Sequence, residues 1–161
     1  MKKLTIALLT IMTLAVTPQL RAHCEIPCGI YDDAMRINML NEHITTIAKS
    51  MTQIAELEKA KNKNYNQLVR WITNKETHAT KFQEIVTQYF MTQRIKPGQA
   101  DYVKKITLLH QMLIAAMKCK QTTDLANTKK LSSLVKDFDK LYFKPGEKKK
   151  HMHKHDHAHA H

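Results

Sequence analysis

Glycine and proline are scarce in this chain, at three and four residues of 161, and most of them fall between apolar runs. No segment reads as a strand. A chain with so few turn-makers inside its apolar runs is one in which almost everything is helix. Cysteine is scarce too: Cys24, Cys28 and Cys119 are the only three. A bridge between Cys24 and Cys28 would enclose too few residues to restrain the unfolded chain much, and Cys119 is left to pair with either or to stay alone. A disulfide framework therefore explains the cysteines poorly. There is one tryptophan and no nucleic-acid-binding motif, so the formal net charge of +12 is read as solvated lysines on helix faces. The longest apolar stretch, residues 4–16, is too short to stay in a bilayer as a spanning helix.

What that stretch does resemble is a secretory signal. Lys2 and Lys3 precede it and "TPQLRA" follows as a polar exit, with Ala22 a suitable residue before a cut. Cleavage between Ala22 and His23 leaves 139 residues, enough for one domain with its own core. Removing Lys2, Lys3 and Arg21 from the formal +12 leaves about +9. The expected location is outside the cytoplasm, periplasmic or extracellular, with no stable membrane anchor and no nucleic-acid partner.

Four apolar stripes at helical spacing follow. Ile37, Leu40, Ile44, Ile47, Met51, Ile54 and Leu57 mark the first, with Asp32 and Asp33 placed as N-cap and first-turn acid. "KAKNKN" interrupts. Leu68, Val69, Ile72, Phe82, Ile85, Val86, Tyr89 and Phe90 mark the second, which should stop near Pro97 and Gly98. The third runs from Tyr102 through Val103, Ile106, Leu109, Met112, Leu113 and Ala116 to Met117, before the polar interval "KCKQTTD". The fourth holds Leu125, Leu131, Leu134, Val135, Phe138 and Leu141 and closes at Pro145 and Gly146. The expected fold is all-α: an antiparallel four-helix bundle over residues 32–143, carrying an N-terminal metal-binding hook over residues 23–31. The tail, residues 144–161, is rich in Lys and His and reads as a mobile arm able to capture late transition metals.

The segment "HCEIPCGIYDD" carries the chemistry. A cut before His23 exposes an amine whose pKa lies within reach of neutral pH, unlike that of a lysine. With that amine as anchor, the Cys24 backbone nitrogen and thiolate complete two chelate rings, and Cys28 supplies a fourth donor after a turn. The His23 imidazole can approach from above. Two nitrogens and two sulfurs in a plane indicate Ni(II) or Cu(II) rather than tetrahedral zinc, and copper(II) tends to oxidise thiolates. Pro27 and Gly29 let the intervening backbone turn, Pro27 permitting a cis bond. Tyr31 then falls near the open metal face, where its hydroxyl can orient water or an anion. For His43, His78 and His110 the favoured reading is surface or satisfied core histidine.

These residues closely resemble the hook of the nickel-containing superoxide dismutases, His-Cys-x-x-Pro-Cys-Gly-x-Tyr at a processed amino terminus. The resemblance implies one nickel ion per subunit held by His23, Cys24 and Cys28, with Tyr31 over the substrate site and Pro27 cis. It implies a four-helix bundle assembled as a homohexamer, and disproportionation of superoxide to dioxygen and hydrogen peroxide through Ni(II)/Ni(III) cycling. In that family an acid in the first helix and an arginine in the second hold the axial imidazole. Asn38 stands in the acid's place and His78 near the arginine's, and Glu42 or Glu76 is available to compensate. Two other readings are an exported nickel or copper carrier without catalysis, and a secreted helical interaction protein with a Cys24–Cys28 disulfide.

Overall fold

The structure, a computed structural model, describes residues 31–143. The signal, most of the hook and the Lys/His-rich tail lie outside the described residues. Four α-helices follow in order: α1 (Asp33–Lys59), α2 (Tyr65–Glu84), α3 (Tyr102–Gln121) and α4 (Leu125–Tyr142). A π-helix, Ile85–Arg94, continues α2 without a break. Among the described residues there is no strand. Each helix packs on its neighbours in sequence and α4 returns onto α1, so the four close into the expected all-α bundle.

The start of α1 is set by Asp32, whose carboxylate accepts a hydrogen bond from the Met35 amide at 2.8 Å. The predicted stripe then faces inward. Ile37, Leu40, Ile44, Ile47, Met51 and Ile54 are all buried. The hydroxyls interspersed with them do not compete with the helix, because Thr45, Thr46, Ser50 and Thr52 donate to the carbonyls four residues earlier. The Ser50 hydroxyl also accepts from Asn74 Nδ2 at 3.0 Å, a polar tie between α1 and α2. At the other termini Asn64 caps α2 through the Gln67 amide, and Asp124 caps α4 through the Ala126 amide. The turn between the second and third helices needs a positive φ, which Gly98 supplies at +83°.

The core is aliphatic along most of its length and aromatic at one end. Phe82, Phe90 and Phe138 are fully buried. Phe90 meets Phe138 edge to face at 5.1 Å and Tyr142 at 5.6 Å. Burying such a side chain contributes about 1.5–3 kcal/mol, so the entropy of ordering the chain is offset only by the whole core together.

Three expectations are corrected. The second stripe does not face the core along its whole length: Val69 and Ile72 are exposed, as is Tyr65 beside them, and the buried face of α2 begins later, with Lys75, Ala79 and Phe82. Val103, Met117 and Leu125, also assigned to stripes, are exposed. The third helix does not end at Met117 but at Gln121. Cys119 continues its inward row after Met112, Ala115 and Ala116, and the buried Lys75 ammonium donates to the carbonyls of Cys119 (2.9 Å) and Lys120, satisfying the last turn. The π-helix had no counterpart in the periodicity.

Candidate metal centre

His23, Cys24, Pro27 and Cys28 lie outside the described residues. Tyr31 is the first residue described, and it directly precedes Asp32, the cap of α1. Among the described residues no group of three or more His, Cys, Asp or Glu side chains gathers to hold a metal ion.

What the bundle does hold is a buried charge in the first turn of α1. Asp33, two residues beyond Tyr31, is 4% exposed and has both carboxylate oxygens saturated. Its Oδ1 accepts from the Tyr89 hydroxyl at 2.6 Å and from Arg94 Nε at 2.8 Å. Its Oδ2 accepts from Arg94 Nη2 at 2.7 Å and from the Tyr142 hydroxyl at 2.8 Å. Burial works to raise the pKa of this carboxyl. The hydrogen bonds from Arg94, Tyr89 and Tyr142, with the guanidinium charge, outweigh burial and hold it below its ordinary value. Both phenols are pushed upward, by burial first and then by the adjacent carboxylate, so each remains a donor. Arg36 lies over the Tyr89 ring, 5.0 Å from its centroid, and Lys105 over the Tyr142 ring at 5.7 Å.

The π-helix explains how one segment supplies two of these donors. Residues five apart on an α-helix are separated by about 140° around the axis, at roughly 100° per residue. With hydrogen bonds spanning five residues, as from the Ile95 amide to the Phe90 carbonyl at 2.9 Å, Tyr89 and Arg94 come nearer to one face. Both then reach Asp33. Nothing in the sequence separates Asp33 from any other first-turn acid, and its partners lie 56 to 109 positions away. The useful signal was the pair Tyr89 and Arg94, but it sits at a spacing that neither the helix nor the strand period selects.

The residues expected to support the axial imidazole lie on α1 and α2, while His23 itself is outside the described residues. Asn38 is exposed on α1, and its side chain has no hydrogen bond to His78. Glu42 is exposed one turn further on. Glu76 pairs instead with Lys75 at 2.8 Å. His78 meets His43 across the α1–α2 contact, Nδ1 to Nδ1 at 3.0 Å. His110 is exposed.

Among known proteins, no curated protein and no solved structure matches the chain. The family model described as nickel-containing superoxide dismutase matches residues 18–146, which takes in the hook sequence and the whole described bundle. With a helical bundle observed and the match covering most of its length, the chain belongs to the nickel-containing superoxide dismutase family, and nickel is its cofactor.

Proposed function

We propose that the catalytic centre of this superoxide dismutase is the processed segment 23–31, made by removal of residues 1–22. The carrying observation is the run His23, Cys24, Pro27, Cys28, Gly29 and Tyr31 placed directly before a capped first helix, in a chain of this family. The donor set suits nickel: an amine and an amide nitrogen, two thiolates and an imidazole would give it an electron-rich set of ligands. His23 would bind through its amine and imidazole, Cys24 through its amide nitrogen and thiolate, and Cys28 through its thiolate. When bound, nickel supplies one-electron exchange with superoxide at potentials that these anionic ligands bring within reach.

The protein's own groups do the remaining work. Tyr31 donates a hydrogen bond to a small anion or to water held at the open face. The excess of lysine and arginine over acids favours approach of an anionic substrate in a salt-dependent way. The Asp33 network holds the first turn of α1, so the backbone leaving it toward Tyr31 starts from a fixed position. Asn38, Glu42, Glu76 and His78 remain candidates for support of the axial ligand. Pro27 is assigned the cis bond that turns the hook. Export before cleavage and assembly into a homohexamer complete the proposal, with residues 144–161 as a metal-gathering arm.

Adding one residue before His23 tests the central claim, because it converts the amine into an amide. Turnover should fall to background while the helical circular dichroism persists; retained turnover would refute the amine as a ligand. A carrier would bind nickel tightly in its native form and leave superoxide decay unchanged.

A further inference from the structure

His43 on α1 and His78 on α2 face each other with their Nδ1 atoms 3.0 Å apart, ring centroids at 5.0 Å and ring planes inclined at 67°. Both are half-buried. Two neutral imidazoles in this arrangement satisfy each other with one N–H···N bond, in which a single proton lies between two lone pairs. When the donor ring moves its proton to Nε2, both Nδ1 lone pairs are free for an ion set to one side of the line between them. We propose that His43 and His78 form a second metal site, separate from the hook in every ligand, that takes a divalent late first-row ion such as Ni(II) on the two Nδ1 atoms and bridges α1 to α2.

The spacing favours a particular geometry. Two metal–nitrogen bonds of about 2.0–2.1 Å meeting at a right angle place their nitrogens about 2.8–3.0 Å apart, whereas a tetrahedral angle places them about 3.4 Å apart. The observed separation suits adjacent positions of a tetragonal or octahedral ion, the preference of Ni(II) and Cu(II) over zinc. Partial exposure leaves the remaining positions to water and provides an entry path. Charges of both signs face the pair: Lys81 acts on both rings, and Glu42 and Glu84 act on His43 from exposed positions. Burial, and for His43 the neighbouring His78, lower the pKa of both rings, so the lone pairs are available at neutral pH. Because the two imidazoles sit on rigid helices already packed together, little side-chain ordering is left for the ion to impose.

The test uses the full chain, with hook and tail present. Those two segments carry donors that are local in sequence, so they bind an ion whether or not the bundle is folded and shift the folding equilibrium little. A site made by two helices exists only in the native state. Adding Ni(II) to a hundredfold excess over its dissociation constant should raise the melting temperature by roughly 5–10 °C. His43→Gln and His78→Gln should each abolish that rise, and His43→Gln should do so with superoxide turnover in place. Independently of any variant, Ni(II) should shift or broaden the ring-nitrogen NMR signals of both histidines in the wild type. An equal rise in both variants, or ring signals that stay fixed at saturating metal, would overturn the proposal and leave a hydrogen-bonded pair only.

Discussion

Arg94 grips Asp33 through two parallel hydrogen bonds, Nε to Oδ1 at 2.8 Å and Nη2 to Oδ2 at 2.7 Å, joining the end of the π-helix to the first turn of α1. The carboxylate side chain is 6% exposed and the guanidinium 28%, so the pair is largely shielded from water. Two phenols complete the set, one from the π-helix and one from the last residue of α4. Three elements distant in sequence therefore converge on one buried charge, two residues beyond Tyr31.

Breaking this pair should be costly in a coupled way. Arg94→Met leaves a buried carboxylate without its cation and should destabilise the bundle by about 3–4 kcal/mol; Asp33→Asn should cost about 2–3 kcal/mol. The double variant should lose clearly less than the sum of the two, as measured by urea denaturation. Additive losses would show that the two side chains do not depend on each other.

The same network predicts an acid limit. The folded-state pKa of Asp33 is held below its unfolded value near 3.8, so its contribution is fully present above that pH. It is lost as the pH falls through the lower folded value, when the native carboxylate takes up its proton. Thermal stability should fall steeply below about pH 4 in the wild type, and more shallowly in Asp33→Asn.

Lys75 should act first on the end of α3. Lys75→Met removes the ammonium that pairs with Glu76 and leaves buried acceptors unmet, so it should cost about 1–3 kcal/mol. The carbonyls of Cys119 and Lys120 lose their donor. Amide hydrogen exchange at Gln121 and Thr122 should quicken while α1 keeps its protection. Unaltered exchange there would remove Lys75 as the closure of this helix.

Cys119 should be chemically silent in the folded protein. Its side chain is fully buried, and burial pushes the thiol pKa up to about 11 despite the nearby Lys75. At pH 8 an alkylating reagent should label Cys119 only when the bundle opens, as read by peptide mass mapping, so its labelling rate should follow denaturant concentration.

The helices were legible in the sequence because burial imposes a period. The row from Ile37 to Ile54 faces the core as its spacing predicted, and Asp32 caps α1 as its position predicted. Where the signal was compositional rather than periodic, it misled. Cys119 lies in a polar stretch but on the inward face, and Val69 and Ile72 are apolar but exposed. The proposed hook, outside the described residues, is read on a different ground: His23, Cys24 and Cys28 fall within six residues and need no tertiary contact to be recognised as a set. Asp33 was legible only as a first-turn acid. Its partners are chosen by the packing of distant elements, and no local pattern records that.

The widened turns of Ile85–Arg94 have a consequence for what lengths this segment can tolerate. A π-turn accommodates one more residue than the α-turn it replaces. Removing one residue between Tyr89 and Arg94 would set them four apart on an ordinary helix, about 40° around its axis and still on one side. Adding one would set them six apart, about 120° around an ordinary helix, and turn the guanidinium from the buried carboxylate. The segment therefore tolerates shortening better than lengthening.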